Sequence, residues 1–273
     1  MHYFRYGTKH KEVTLYPIVC MHIGAPQSDI EFIKEHLYRF KHDPTGVMIY
    51  MGDGGECVTK LSKGEIFTQT MNPTEQLKMC RNLLWPFRDR ILFGVEGNHD
   101  YRTFKETGLS WTESLLLALQ VPYLGVSALW QLSIPRATFD IYTHHGIDSG
   151  VNIGTKVNKA KAFENFIMAD AIFSAHSHAC MEVQPRHIAY LSQGGSTESH
   201  ERLCWRTTYE YICGCAYDSR SGYAERKGYP PLLPGYLTVK FHVKWQDRPN
   251  GKGRGKMDSP IKAQTCTIYR KGT

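Results

Sequence analysis

Short polar motifs follow strand-like apolar runs along much of this chain. In chain order, the motifs are Cys20-Met21-His22, Gly52-Asp53, Gly97-Asn98-His99-Asp100, His144-His145-Gly146 and His176-Ser177-His178. Parallel strands that alternate with helices place their carboxyl ends along one edge of a sheet, where ligand-binding side chains collect. The spacing therefore predicts an α/β fold in which these polar side chains meet at one sheet edge.

Strand-like and helical segments alternate through this part of the chain, which favours an α/β architecture. The expected strands cover residues 15–20, 47–51, 91–95, 128–133, 138–143, 171–174, 180–183 and 187–192, and the expected helices cover residues 28–41, 73–85, 111–119 and 159–168. The last two of these strands are expected to form part of a second sheet. Ser28 followed by Glu31 predicts a capping box at the first helix. Asn72 followed by Pro73 predicts the cap and the first position of the second helix.

Length and composition predict a single domain. The chain has 273 residues, of which 41% are hydrophobic, and this is enough to bury one large core. No polar or low-complexity linker divides the sequence. We therefore expect one domain over residues 1–273, with the motifs in a core at 13–195 and a C-terminal extension at 196–273.

The chain lacks the sequence features of a secreted or membrane protein. No uninterrupted apolar stretch approaches the roughly 20 residues of a membrane span, and residues 1–14 are charged and contain no signal-peptide apolar core. The eight cysteines show no spacing typical of a disulfide scaffold. We expect a cytoplasmic protein with reduced thiols and no membrane contact. Cys213 and Cys215 are too closely spaced for the usual redox or zinc motif, so they are expected to be small half-buried hydrophobes.

The order of the motifs resembles that of the calcineurin-like metallophosphoesterases, whose pattern runs D-x-H, G-D, G-N-H-D/E, H and G-H-x-H. Five ordered matches are far more specific than any one of them, and they span residues 13–195. Ala175 stands where the last motif usually has glycine, and Cys20 stands where the first motif has a metal-binding aspartate. The resemblance implies an α/β fold with a two-sheet β-sandwich flanked by helices.

Residue chemistry points to a metal centre independently of this resemblance. A phosphoester is anionic and resists attack by hydroxide, so its hydrolysis needs cations that offset charge and supply hydroxide at neutral pH. The resemblance implies two divalent metal ions, Mn²⁺, Zn²⁺ or Fe²⁺ with Mg²⁺ as an alternative, and a hydroxide held between them. The implied ligands are Cys20, His22 and His178 at the first site and Asn98, His145 and His176 at the second, with Asp53 bridging both.

His99 matches the family position that points at the leaving group, and the resemblance implies that it is the general acid. A protonated imidazole there needs a carboxylate to hold its orientation. Glu56 stands where the family often has such an acid, and Asp100 is the alternative. The sequence also leaves open that Glu56 is a solvated loop carboxylate. His144 precedes a matched histidine on a strand, so we expect it on the opposite face in a packing role. The remaining histidines, to which no functional role is assigned, are His2, His10, His36, His42, His187, His200 and His242.

Cys20 is the most informative departure from the family pattern. A thiolate is a soft ligand, so a bound Cys20 is expected to favour Zn²⁺ or Fe²⁺ over Mg²⁺ and Mn²⁺. The alternative is a small apolar residue that ends a buried strand and leaves the first metal ion held by fewer ligands.

Positive charge is concentrated near the C-terminal end of the sequence. Residues 244–273 carry eight Lys or Arg against two Asp, within a chain of net charge +7. The Gly-rich segment 250–256 lies between strand-like runs at 236–243 and 263–269, which predicts a basic hairpin loop. This loop either contacts a nucleic-acid backbone or is solvated and mobile. Residues 194–208, with Arg202 and Arg206, are expected to flank the substrate.

Three functions are compatible with these residues. The first is a metal-dependent phosphodiesterase or nuclease, which the basic loop favours. The second is a phosphomonoesterase that acts on a phosphoprotein, a nucleotide or a small metabolite. The third is a catalytically degenerate scaffold, which only Cys20 suggests, and the presence of Asn98, His99 and His145 argues against it. The motifs do not separate the first two functions, and they leave the oligomeric state open.

Overall fold

The computed structural model describes residues 2–62, 65–147, 150–184, 186–191, 202–246 and 259–272. In these ranges the strands are β1 (His2–Gly7), β2 (Glu12–Ile18), β3 (Gly46–Tyr50), β4 (Ile91–Gly94), β5 (Ser127–Ile134), β6 (Ala137–His144), β7 (Ala171–Ser174), β8 (Cys180–Val183), β9 (Arg186–Leu191), β10 (Arg202–Thr207), β11 (Tyr209–Cys215), β12 (Gly235–Gln246) and β13 (Ser259–Arg270). The α-helices are α1 (Ile30–Lys41), α2 (Pro73–Leu84), α3 (Tyr101–Thr107), α4 (Trp111–Leu119), α5 (Ile153–Lys161) and α6 (Tyr223–Arg226). Short 3₁₀ helices cover Ile66–Thr68, Trp85–Arg90 and Ala162–Asn165. This mixture of strands and helices confirms the α/β prediction.

Eleven of the described strands form one continuous sheet whose two halves meet at a short junction. The order is β1-β5-β6-β7-β11-β12-β2-β3-β4, with β8 paired to β11 and β13 paired to β12. At the junction β11 and β12 share two residue pairs, Gly214 with Tyr236 and Cys215 with Gly235. Strands β2, β3 and β4 run parallel in one half, and β6, β7 and β11 run parallel in the other.

The two halves of the sheet pack face to face through aromatic side chains. The ring of Phe139 on β6 lies 5.0 Å from that of Phe241 on β12, centroid to centroid. Phe93 on β4 and Trp130 on β5 are 5.4 Å apart in the same way. All four rings are fully buried and belong to one hydrophobic cluster. Because buried aromatic rings remove large apolar areas from water, this shared core holds the two layers together. The two-layer arrangement confirms the sandwich prediction.

The two strands expected in a second sheet take different partners. β8 pairs antiparallel with β11 and so joins the half of the large sheet that also contains β7. β9 pairs with β10 in a separate two-stranded sheet. The prediction of a shared second sheet is therefore wrong. β11 decides the outcome, because this strand was not predicted from the sequence and supplies the edge that β8 joins.

Side-chain hydrogen bonds cap the first turns of α1 and α2, and the sequence predicts only one of these two caps correctly. α1 is capped by Asp29, whose carboxylate accepts from the backbone N–H of Phe32 at 3.0 Å. The predicted cap, Ser28, instead donates its hydroxyl to the carbonyl of Met21. A carboxylate is also favoured by the positive end of the helix dipole, which explains why Asp29 takes this place. The predicted cap Asn72 and the start of α2 at Pro73 are confirmed, and Asn72 also forms a capping box with Glu75.

The helix expected at 159–168 is misplaced. α5 begins at Ile153 and ends at Lys161, and a 3₁₀ helix follows it. The first turn of α5 contains Gly154, and glycine is a poor helix former, which is why the sequence pattern placed the start too late.

The cysteines and the C-terminal hairpin agree with their predictions where they are described. The described cysteines are free thiols, and Cys213 and Cys215 are fully buried rather than half-buried. β12 and β13 pair antiparallel along their full length, so the expected hairpin is present. The basic segment 250–256 at its tip lies outside the described residues. Among the helices described here, none is long and apolar enough to cross a membrane.

Candidate metal centre and active site

Each polar motif lies directly after a strand end, and the backbone is strained at the motif residues themselves. Five of them have left-handed backbone conformations: Cys20 (φ 46°), His22 (φ 49°), Asp53 (φ 54°), His176 (φ 60°) and His178 (φ 58°). For residues with a Cβ this conformation costs on the order of 1–3 kcal/mol each. Such strain persists only where surrounding contacts fix the backbone. Here it turns the side chains of three separate loops toward one place.

The loop that follows β3 is fixed by the buried carboxylate of Asp100. This carboxylate accepts from the backbone N–H of Asp53 at 2.8 Å, from Tyr50 Oη at 3.0 Å and from Thr112 Oγ1 at 2.8 Å. Burial and the nearby carboxylate of Asp53 raise the pKa of Asp100 to about 6. Asp100 therefore anchors the Asp53 loop, and this geometry differs from its predicted alternative role as the carboxylate partner of His99.

Ligand atoms of the second predicted site converge on one point. His145 Nδ1 donates to the backbone carbonyl of Met51 at 2.6 Å, so in the neutral ring Nε2 is an acceptor. That Nε2 lies 3.0 Å from Asp53 Oδ2 and 3.1 Å from Asn98 Oδ1. His176 Nδ1 lies 2.7 Å from the same Asn98 oxygen. Asp53 Oδ2 is buried against His145 Nε2, and Asp53 outweighs burial and raises the pKa of His145. Carboxylate, amide and imidazole atoms that converge in this way fit a cation, which would take the place of the imidazole proton.

The first predicted site has the same character. His22 Nδ1 donates to Glu56 Oε2 at 2.7 Å, which leaves His22 Nε2 as an acceptor that lies 2.9 Å from His178 Nε2. Cys20 Sγ and these imidazoles offer ligand atoms within 4.8 Å of one another, and Cys20 forms a second such group with Asp53 and His145. The thiol thus lies between the two predicted sites, where a sulfur ligand could reach a cation at either one.

Burial and mutual repulsion keep the first-site imidazoles neutral. Burial, together with the neighbouring His99, lowers the pKa of His22 despite the carboxylate of Glu56. Burial and the neighbouring His22 and His176 hold the pKa of His178 well below its usual value. Neutral imidazole is the form that binds a metal ion. Burial and the nearby Asp53 raise the pKa of Cys20 well above its usual value, so the thiol is protonated at neutral pH.

The two carboxyl groups at the centre, Asp53 and Glu56, have lower pKa values than the same groups have in water. Burial alone would raise the pKa of Asp53, but His145 and His99 outweigh burial and hold it well below its usual range. Burial opposes ionisation of Glu56 in the same way, and His99 and His22 together hold its pKa well below the usual range. Both groups are therefore carboxylates at neutral pH.

Glu56 joins three side chains at the edge of the centre. Its Oε2 lies 3.1 Å from His99 Nδ1, and its Oε1 accepts from Arg102 Nη1 at 3.0 Å. Arg102 Nη2 lies 3.1 Å from His99 Nε2. Burial would lower the pKa of His99, but Glu56 and Asp53 outweigh burial and raise it. With 9% of its surface exposed, Glu56 is not a solvated loop carboxylate, and of the two acids proposed for His99 it is the one beside the imidazole.

Three residues at this site were missed by the sequence reasoning. Arg102 lies in the first turn of α3, three positions after His99, and this closeness in sequence could have indicated it. Lys156 on α5 is buried and donates to the backbone carbonyl of Ser177 at 2.6 Å. The ring of Tyr217 lies 5.4 Å from that of His22 and 5.6 Å from that of His178. Lys156 and Tyr217 reach the site only through tertiary folding, so no local pattern marks them.

The remaining predictions fall into two groups. The ring of His144 packs at a tilt against that of Phe163, with centroids 4.9 Å apart, and its Nδ1 accepts from the backbone N–H of Gly146, as expected for a packing residue. Residues 192–201 and the side chains of Arg202 and Arg206 lie outside what the structure describes, so their expected place beside the substrate stays a prediction.

A cavity of about 460 Å³ opens beside both predicted metal sites. His22, Asn98, His99 and His178 line it on the side of the centre. The other walls come from the loop before α1, from residues 65–69, from the start of α5 and from the segment between β11 and β12. The centre therefore faces a chamber of the size that small ligands occupy.

Comparison with known proteins adds only weak likenesses. No protein-family model matches the chain, and no curated protein matches it in sequence. Among solved structures, it is similar to a mutant Vps29 from Entamoeba histolytica (11% identity, TM-score 0.42, 94% of this chain and 99% of that one). It is also similar to a metallophosphoesterase from Sphaerobacter thermophilus (13% identity, TM-score 0.40, 83% and 82%). A third similar structure is a protein serine/threonine phosphatase from Saccharomyces cerevisiae (10% identity, TM-score 0.34, 97% and 82%). Similarity at this level assigns neither a substrate nor an activity to this chain.

Proposed function

We propose that this protein is a metal-dependent phosphoester hydrolase with a centre for two divalent cations, and that it acts on phosphodiesters. The convergence of candidate ligand atoms around Asp53 carries this proposal. His145 Nε2, Asn98 Oδ1 and the buried Asp53 Oδ2 meet on one side. The nitrogen and sulfur atoms of the first predicted site meet on the other side. The order of the motifs and their likeness to the metallophosphoesterase pattern support the same proposal.

Two divalent cations bound there would neutralise phosphate oxygens and supply hydroxide at neutral pH. The chain's own residues then have distinct roles. His99 delivers a proton to the leaving oxygen as the P–O bond breaks, and Glu56 holds the imidazole through Nδ1. Arg102 can only donate hydrogen bonds, so its contact with His99 Nε2 belongs to the neutral imidazole. This contact opens when Nε2 takes up from water the proton that it later delivers, and Arg102 stays bound to Glu56.

Charge around the cavity favours a diester over a monoester. Among the described residues that line it, the Lys and Arg side chains are Arg102 and Lys156. Arg102 is bound to Glu56, and Lys156 is bound to the carbonyl of Ser177. A phosphomonoester is largely dianionic at neutral pH and needs an additional cation, whereas a diester carries one negative charge. Phosphomonoester hydrolysis is the alternative. Nucleic-acid contact through the basic C-terminal loop stays a prediction, because that loop lies outside the described residues.

Turnover of two model esters tests the proposal. Metal-stripped protein reconstituted in parallel with Mn²⁺, Mg²⁺, Zn²⁺ and Fe²⁺ is expected to hydrolyse bis(p-nitrophenyl) phosphate faster than p-nitrophenyl phosphate. His99→Ala is expected to lower kcat by about 10²–10⁴-fold, because the leaving oxygen loses its acid. His42→Ala is the matched control, since His42 is exposed at the C-terminal end of α1 and does not line the cavity. Absence of turnover with every metal ion would leave the degenerate scaffold as the better account.

We propose that Cys20 is a metal ligand and that its sulfur biases the centre toward Zn²⁺ or Fe²⁺. Cys20→Ala is expected to lower the metal content, because a ligand is lost from a buried site. Cys20→Asp is expected to keep activity and to shift the preference toward Mn²⁺ or Mg²⁺. Mass spectrometry of bound metal measures the content, and Co²⁺ substitution reports the thiolate through a near-ultraviolet charge-transfer band.

Cys213→Ala is the matched control for these variants, because Cys213 is equally buried and belongs to no candidate ligand group among the described residues. Its metal content and its Co²⁺ spectrum are expected to match those of the parent protein. Unchanged metal content and preference in both Cys20 variants would show that the cysteine is a packing residue.

A further inference from the structure

The segment from Tyr217 to Leu232, which connects β11 to β12, forms one wall of the active-site cavity. It contains α6, and its residues Tyr217, Ser219, Ala224, Tyr229, Pro230 and Leu232 line the cavity. Sequence motifs assigned no role to this part of the chain. Its residues therefore lie where they would contact a ligand in this cavity.

The base of this segment is closed by hydrogen bonds between its two ends. Leu232 N donates to Ser219 Oγ at 2.6 Å. Ser219 Oγ lies 3.1 Å from the carbonyl oxygen of Leu232, to which Ser219 N also donates at 3.4 Å. Ser219 is buried. The segment is therefore a closed loop with a fixed base, as in compact surface loops that are packed by their own side chains.

The same segment is tied to the facing walls of the cavity. Asp218 N donates to the carbonyl of Gln27 at 3.0 Å. Gly222, with φ +71°, lies so close to Gln27 that a Cβ on it would come within 2.2 Å of Gln27 Nε2. Arg226 Nη1 on α6 is 2.5 Å from Glu65 Oε1, which lines the cavity from another side. These contacts join three of the walls around the cavity, so it is partly enclosed.

The lining supplied by this segment suits a ring-bearing organic group. Tyr217, Tyr229, Pro230 and Leu232 present apolar surface, and Tyr229 is 45% exposed. Aromatic rings and proline faces pack well against planar groups. A volume of about 460 Å³ accepts one phosphate with one nucleoside-sized group. Nucleic-acid strands are bound along open grooves that follow several nucleotides with positive charge. Among the described lining residues the cations are Arg102, which is ion-paired with Glu56, and Lys156, which donates to the carbonyl of Ser177.

We propose that the Tyr217–Leu232 segment restricts this enzyme to compact phosphodiesters with a ring-bearing organic group and excludes nucleic-acid strands from the metal centre. The inference rests on the proposed phosphodiesterase function. In the reaction, water adds to phosphorus, the P–O bond to one organic group breaks, and the leaving oxygen takes a proton. The products are a phosphomonoester and an alcohol or phenol. Tyr229 is a specificity residue, because its ring packs against the organic group without touching the reacting atoms.

A comparison of two substrates, together with a binding measurement, tests the inference. The reconstituted protein is expected to hydrolyse thymidine 5′-(p-nitrophenyl) phosphate at least about 100-fold more efficiently per ester bond than single-stranded DNA, because the chamber admits only the small diester. Tyr229→Ala is expected to raise KM for the small diester about tenfold with kcat little changed, as loss of a stacking ring does. Tyr38→Ala is the matched control, since Tyr38 is 63% exposed on α1 and does not line the cavity.

A separate binding measurement distinguishes failure of this inference from failure of the proposed function. Calorimetry with thymidine 5′-monophosphate needs no turnover, and binding is expected to weaken about tenfold in Tyr229→Ala and to be unchanged in Tyr38→Ala. Binding without hydrolysis of any ester would overturn the proposed function and leave the ligand class standing. Hydrolysis of DNA as efficient as that of the small diester would overturn the inference and leave the function standing. Equal binding by the parent protein and Tyr229→Ala would also overturn it.

Discussion

Asp53→Asn is expected to lower hydrolysis of bis(p-nitrophenyl) phosphate by at least about a thousandfold and to remove most of the bound metal. The substitution keeps the size of the side chain and the oxygen that accepts from the backbone N–H of His99 at 2.8 Å. It removes the only carboxylate among the candidate ligand groups found in the described residues. Without that charge, the cations would be held by neutral imidazole and amide groups and a thiol. Metal content by mass spectrometry and kcat/KM measure the two effects.

Two measurements separate this result from a loss of folding. Asp89→Asn makes the same chemical change at a side chain that is 84% exposed, and it is expected to leave metal content and activity unchanged. Thermal unfolding of Asp53→Asn in the presence of a chelator is expected to stay cooperative at a lower Tm than that of the parent protein, because His145 and His99 lose the carboxylate whose pKa they hold low. An Asp53→Asn protein that keeps its metal and its activity would contradict the assignment of the centre.

Motifs at strand ends could be predicted from the sequence because both features are local. An apolar run of strand length followed by Asp53 or by Asn98 is visible within ten residues, and parallel pairing then brings the strand ends together. The left-handed conformations at Cys20 and at His178 could not be predicted, since residues with a Cβ rarely adopt them. At these positions the geometry of the centre outweighs backbone preference, as it does at functional sites in general.

Long-range contacts explain what the sequence did not reveal. β1 pairs with β5, although the sequence pattern gave no sign of a strand at the N-terminus. Tyr217 meets the ring of His22 only after β11 has joined the two halves of the sheet. The Tyr217–Leu232 segment likewise gains its place through contacts with Gln27 and Glu65, which are far away in sequence. Composition and periodicity report neither kind of contact, because both depend on the finished tertiary structure.

Glu210→Gln is expected to remove a loss of stability that the parent protein shows at alkaline pH. Glu210 on β11 is 1% exposed and lies against the carboxyl of Glu164 in the 3₁₀ helix after α5. Burial and Glu164 raise the pKa of Glu210 to about 8, and Lys161 opposes this only in part. At pH values between 4.5, the usual pKa of a glutamate, and about 8, Glu210 keeps its proton in the folded protein but has released it in the unfolded chain. The stabilisation is therefore complete below the lower value and is lost as the pH rises through the higher one.

The size of the effect follows from the same linkage. The rise in the pKa of Glu210 from 4.5 to about 8 can change the free energy of unfolding by at most about 5 kcal/mol. We expect roughly half of this change, because Glu164 shares the proton. Thermal unfolding at pH 9 is expected to place Glu210→Gln roughly 5 °C above the parent protein, and at pH 5 the two should nearly coincide. Glu182→Gln is the control, since Glu182 lies on the neighbouring strand β8 and is part-exposed. Parallel pH profiles for the parent protein and Glu210→Gln would show that the buried carboxyl is ionised in the folded state, with a partner that offsets its charge.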